Sequence, residues 1–219
     1  MPSRPKLRWS RLDSSLVQFV LILGSLLSGL SILFALLWIA DVIPGSAAQD
    51  MGMNEITVHP PSGTPDTVPD VALTSADVSV RGAGQMVLTF QDPSALERLL
   101  LVLPVLIGMP IVIAVLYLVI RVLASLDLGD PFVPANVRRI WTAALLVIAG
   151  AIAVPVVEAA ADFHLQEVAL ASDRAILLVF TVGLGSVPAL MLLVGFVLAA
   201  FGEVFRRGSQ MRDDVEGLI

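Results

Sequence analysis

The chain has 219 residues, 57% of them hydrophobic and only 15% charged, with a mean hydropathy of +0.89. Soluble domains run at roughly 45–50% apolar and about 25% charged, so this is the composition of a membrane protein. No cysteine is present, which excludes disulfides, thiolate metal sites and cysteine nucleophiles, and the net charge of −6 matters less than where the charges sit.

Residues 1–13 form a basic N-terminus carrying Arg4, Lys6, Arg8 and Arg11. An uncharged run then extends from Ser14 to Ala40. About 20 apolar residues span a ~30 Å hydrocarbon core, which predicts a first transmembrane helix over 14–43. Ser46-Ala47-Ala48 has the look of a signal-peptidase site. The apolar core of a secretory signal is about 7–15 residues, however, and this run is nearly twice that, so a retained helix is expected.

Residues 44–98 differ in kind. Pro60, Pro61, Pro65 and Pro69 break any helix, and acidic residues are scattered among them. Val78 and Val80, then Met86, Leu88 and Phe90, alternate as strands do, and Gly82-Ala83-Gly84 between them supplies a turn. Glu55–His59 offers a further strand. Ser94-Ala95-Leu96-Glu97 is a capping box that opens the next helix.

A second transmembrane helix is predicted over 99–120, with Pro104 and Pro110 inside it. Proline removes a backbone bond, yet membrane helices tolerate it where neighbours compensate. A polar connector, 121–139, follows. The third apolar run, 140–157, has 18 residues, roughly 27 Å at 1.5 Å per residue, and barely spans. Residues 158–174 read as a second outer loop, 175–202 as the fourth transmembrane helix, and 203–219 as a tail.

Basic residues orient the chain. With the N-terminus inside, ten of the thirteen lie inside and only Arg81, Arg98 and Arg174 outside. Every short segment then obeys the positive-inside rule. The acidic residues divide seven inside and twelve outside. The fold class that follows is an all-α membrane protein: a four-transmembrane-helix bundle with a small extracytoplasmic β-containing loop and both termini cytoplasmic.

Few residues suggest chemistry. His164 has Glu158, Asp162 and Glu167 nearby in sequence, but on a continuing helix these do not converge as ligands, and hard cations want several oxygens from a shaped loop. The four apolar runs hold no charge, which disfavours a proton or ion pathway. Their polar groups (Gln18, Ser25, Ser28, Ser31, Thr142, Thr181 and Ser186) are ones that bonds within or between helices satisfy. No phosphate-cradling loop, zinc-protease helix or nucleophile elbow is present, so neither an enzyme nor a cofactor is expected. Basic residues without interleaved aromatics argue against direct nucleic-acid binding. Gly24/Ser28, Ser25/Gly29 and Gly185/Ala189 are small-xxx-small pairs, as are several alanines around Gly150; such pairs bring helices together within the bundle or in a homodimer.

Two motifs remain. In the connector, Asp130-Pro131 and Pro134 stop one helix and start another, and Arg138 and Arg139 reach the lipid headgroups. In the tail, Glu203-Val204-Phe205-Arg206-Arg207-Gly208 leads to an acidic end with Asp213, Asp214 and Glu216. Phe132, Asn136, Arg138, Arg139, Arg206, Arg207, Asp213, Asp214 and Glu216 are the candidate contacts for a cytoplasmic partner. Gly129, Pro131, Phe132 and Asn136, together with the Glu-Val-Phe-Arg-Arg-Gly helix end and acidic tail, resemble the bacterial membrane proteins of domain-of-unknown-function (DUF) family 2975, in element order from the first helix to the C-terminus. The resemblance implies a four-helix protein of the bacterial inner membrane, often encoded beside a small Xre-type helix-turn-helix regulator. The expected role is a non-enzymatic membrane sensor or relay acting on such a regulator. A small transporter or channel subunit and a structural subunit of a larger complex are the alternatives.

Overall fold

A computed structural model describes residues 11–58, 86–127, 133–169 and 186–216. In chain order the elements are α1 (Arg11–Ile39), α2 (Gly45–Asp50), β1 (Glu55–Val58), β2 (Met86–Thr89), α3 (Ala95–Asp127), α4 (Pro134–Ala169) and α5 (Val187–Glu216). Within α1, α3, α4 and α5 lie apolar stretches of at least 25 residues, Ser15–Ile39, Ala95–Ser125, Pro134–Glu167 and Val187–Met211, each long enough to cross a bilayer. The described chain is therefore all-α in its long elements, with four membrane-length helices and one two-stranded sheet.

The helix boundaries follow from local chemistry. At the start of α3 the predicted capping box is formed: the Ser94 backbone N–H donates to Glu97 Oε2 at 2.6 Å, and the Glu97 N–H donates to Ser94 Oγ at 3.4 Å. α3 continues unbroken through Pro104 and Pro110. α4 is longer than its apolar run. It opens at Pro134, where a missing N–H costs nothing, and includes Glu158–Ala169, which the sequence suggested was a loop. Between Val157 and Ala169 there is no glycine or proline, and alanine, glutamate and leucine carry the helix on. The 18-residue run is thus the lipid-length middle of a 36-residue helix. The start of the fourth apolar run lies outside the described residues.

The chain divides into two compact units, each of which has its own interior. The first comprises the described residues of Met1–Ala35, Pro104–Glu158 and Phe180–Ile219. Here α4 and α5 run antiparallel: Gly202 meets Trp141 and Gly195 meets Ile148, so a step from 202 to 195 on α5 matches a step from 141 to 148 on α4. α3 and α4 are likewise antiparallel, with Ser125 bonded to Asn136, Ile111 against Gly150 and Val154 against Gly108. Gly24 of α1 faces Leu116 of α3, and Ser28, one turn on from Gly24, is buried. In lipid there is no hydrophobic drive between helices, so close backbone approach and dispersion contacts hold them. The glycines supply that approach. Ser25, Ser28, Ser31 and Thr142 each donate to a carbonyl four residues back, as expected, whereas the buried Ser186 Oγ has no partner among the described residues.

The second unit comprises the described residues of Leu36–Leu103 and Ala159–Val179. Trp38, Ala48, Ile56, Val102, Ala161 and Leu165 are its buried apolar residues. β1 and β2 pair antiparallel, Glu55 opposite Thr89 and Val58 opposite Met86. The sequence offered 78–80 as the hairpin partner of 86–90; that piece lies outside the described residues, and the partner seen is Glu55–Val58. Asn54 extends the ladder, its carbonyl accepting from the Phe90 N–H at 2.9 Å and its Nδ2 donating to the Phe90 carbonyl at 2.8 Å.

α1 ends in a pattern usually made with glycine. The Val42 N–H donates to the Leu37 carbonyl and the Asp41 N–H to the Trp38 carbonyl, both at 3.0 Å, and Asp41 takes the left-handed conformation with φ 60°. Its carboxylate is held by Arg98, which also donates through Nε to the Pro93 carbonyl at 2.9 Å. One arginine on α3 thus fastens the end of α1 and the turn before α3.

Candidate functional site

The predicted contacts separate into two groups within the first unit. At the α3–α4 junction, Asn136 sits in the first turn of α4, its N–H donating to the Val133 carbonyl at 2.8 Å. Its side chain is 0% exposed. Nδ2 donates to Ser125 Oγ, whose own hydroxyl donates to the Val122 carbonyl at 2.6 Å. Asn136 Oδ1 accepts from Arg139 Nη1 at 2.9 Å, and the same nitrogen lies 3.3 Å from the Arg121 carbonyl. Asn136 therefore cannot present itself to a partner. This corrects the expectation: a buried amide must be satisfied inside the protein, and here it ties the two helices together. Arg139 is half-buried and turned to the same task, while Arg138 is exposed.

Across the junction, Arg121 Nε donates to Tyr117 Oη at 2.9 Å, and its guanidinium carbon lies 5.2 Å from the centre of the Tyr117 ring. The i, i+4 spacing puts the two side chains on one face, and the contact combines a hydrogen bond with cation–π attraction. Neither Arg121 nor Arg138 pairs with a carboxylate among the described residues.

The α5 group behaves differently. Arg206 grips Glu203 through Nε and a second guanidinium nitrogen, both at 2.7 Å, and Arg207 Nε donates to the same carboxylate at 2.8 Å. The basic pair is thereby partly neutralised on its own helix. Extending the α4–α5 pairing from Gly202 opposite Trp141 sets Pro134 near the level of Ser209. α5 nevertheless continues to Glu216, about two turns past the first residue of α4. Asp213, Asp214 and Glu216 are on those turns, but their side chains lie outside the described residues, as does Phe132.

Sequence reasoning missed Ser125, Glu203 and the Tyr117–Arg121 pair as site residues. The last two were open to it, since i, i+3 and i, i+4 partners are read directly from a helix. Ser125 was not, because its partner is eleven residues away across a turn. Of the acidic residues around His164, Glu158 and Glu167 are exposed, as is His164 itself, and among the described residues no three such groups converge as metal ligands.

Four membrane-length helices, with α3 antiparallel to α4 and α4 to α5, define a multi-pass membrane protein. Comparison with family models matches residues 67–219 to the family described as Protein of unknown function (DUF2975), and the chain belongs to it. The match begins after α1, so the likeness is narrower than the motif-based reading from the first helix onward. Neither the curated proteins nor the solved structures compared with the chain give a match.

Proposed function

We propose that this protein is a non-enzymatic relay of the bacterial inner membrane, with both termini cytoplasmic, that engages a cytoplasmic partner through the last turns of α5. The partner class offered by the family resemblance is a small helix-turn-helix regulator. The observation that carries the reading is the reach of α5 beyond the first residue of α4. Among the described residues that stretch has no partner helix in the register shared with α4; it includes the exposed Met211 and ends in Asp213, Asp214 and Glu216. An apolar side chain beside acidic ones suits a basic, partly apolar surface on a partner. The positive-inside distribution supports the orientation.

Co-purification of the full chain with the regulator encoded beside it, against a chain ending at Gly208, tests the proposal. Recovery of the regulator falls to background with the shortened chain. Undiminished recovery would remove the tail from the account.

A further inference from the structure

We infer that Arg121, steadied by Tyr117, binds the phosphate of an anionic phospholipid in the leaflet beside residues 121–139. The inference goes beyond the relay reading. It depends only on the chain spanning a bilayer. Arg121 is exposed and has no carboxylate partner among the described residues, yet it is not loose: Tyr117 holds Nε at 2.9 Å and offers its ring face beneath the guanidinium. The remaining edge of a guanidinium so held is suited to the paired oxygens of a phosphate.

Arg206 and Arg207 are poorer candidates, since Glu203 already occupies both.

The surroundings favour a lipid over a soluble anion. Tyr117 is 52% exposed on a helix of membrane length, which is how tyrosine sits at a lipid–water boundary. Ala124, Arg121, Tyr117 and Pro110 are all exposed and recur at helical spacing, so they line one outward face of α3. From Arg121 to Pro110 is eleven residues, roughly 16 Å of helix, close to half of a ~30 Å hydrocarbon core. A phosphate on Arg121 therefore leaves its acyl chains lying along Tyr117 and Pro110, in one leaflet. A soluble phosphate makes no use of that face.

The test uses the full chain in detergent micelles, titrated with dioleoyl phosphatidylglycerol or dioleoyl phosphatidylcholine, with bound lipid read by native mass spectrometry. The wild type should hold the anionic lipid about fivefold more strongly, the value expected for one basic residue near anionic headgroups. Arg121→Ala should bring the two lipids to parity. Tyr117→Phe, which keeps the charge and ring but removes the bond that orients them, should fall between, as should Arg121→Lys. If Arg121→Ala loses its helical circular dichroism, the Lys and Phe variants decide the matter. Equal retention of both lipids by the wild type, or an undiminished preference in the variants, overturns the proposal. Inorganic phosphate at millimolar concentration should not displace phosphatidylglycerol; displacement would assign the site to a soluble anion and overturn the lipid assignment.

Discussion

In the unit built from α4 and α5, helices approach where a side chain is missing; in the unit around Arg98, segments are joined where a charged side chain is present. Gly195 and Gly202 let α5 come down onto Ile148 and Trp141, and the polar exception, Asn136, is fully enclosed. Arg98 works the other way, reaching a carboxylate that is 74% exposed and a backbone carbonyl at the turn into its own helix. The difference goes with exposure, the Asn136 amide being enclosed and the Asp41 carboxylate open. Lipid offers no water to compete for a polar group and no hydrophobic reward for burying an apolar one, so fit and complete hydrogen bonding decide. Where water is present, an ion pair is weak, screened and replaceable. Substitutions in the first unit should therefore be costly according to space, and those in the second according to charge.

The largest effect tests space. A β-carbon on Gly195 would lie 2.5 Å from Ile148 Cγ1 and 3.4 Å from the Ala144 carbonyl oxygen, whereas one on Gly29 would meet nothing within 4 Å among the described residues. Gly195→Leu should lose about 3 kcal/mol through overpacking. Gly29→Ala should be neutral or gain up to about 1 kcal/mol, since alanine is the better helix former. Thermal or denaturant unfolding in detergent, followed by circular dichroism, measures both. Equal responses at the two glycines would break the distinction drawn between packed and lipid-facing sides of α1 and α5.

A middle-sized effect is expected at Asn136. Asn136→Ala removes the bond that Ser125 Oγ accepts and one bond of Arg139, and should lose about 1–2 kcal/mol in the same assay. Ser125→Ala removes the other end of the same bond. If the two changes are coupled, the double variant should lose clearly less than the sum of the singles. Simple additivity would mean that the buried amide is not what joins α3 to α4.

These contacts also mark how far the sequence could be read. Four membrane-length helices were visible because uncharged runs near bilayer thickness have few other uses. The Ser94–Glu97 capping box was visible because both partners lie within one turn. Gly24/Ser28 was recognised as a packing pair, but the identical spacing of Ser25/Gly29 gave no hint that Gly29 faces open space; a helix face acquires its role only when a neighbour arrives. Gly195 and Gly202 are seven residues apart, two turns on one face, and that repeat is a packing signal within the sequence itself. At the candidate site, the importance of Asn136 was legible but its direction was not. An asparagine near a helix start reads equally as a surface contact or a buried tie, and the choice depended on Ser125, eleven residues earlier. The end of α4 was misread because a fall in hydropathy was taken for the end of the helix, while Glu158–Ala169 contains no residue that ends one.

The smallest effect is the sharpest test of the charged unit. Asp41 is held at φ 60°, where an L-residue pays about 1–2 kcal/mol and glycine pays nothing for its side chain. Its carboxylate recovers part of that through Arg98, by an amount of up to about 1 kcal/mol that salt can screen. Asp41→Gly relieves the strain and loses the pair, so at low salt it should match the wild type within about 0.5 kcal/mol. Asp41→Ala loses the pair and keeps the strain, and should be the least stable of the three. Raising the salt weakens only the wild type, so it should fall toward Asp41→Ala while Asp41→Gly becomes the most stable. Arg98→Ala should cost about 1 kcal/mol at low salt and less at high salt. If the wild type and Asp41→Ala are indistinguishable at low salt, the ion pair contributes nothing, and each helix end is held by its own local bonds, those to Leu37 and Trp38 at the close of α1 and the Arg98–Pro93 contact at the start of α3.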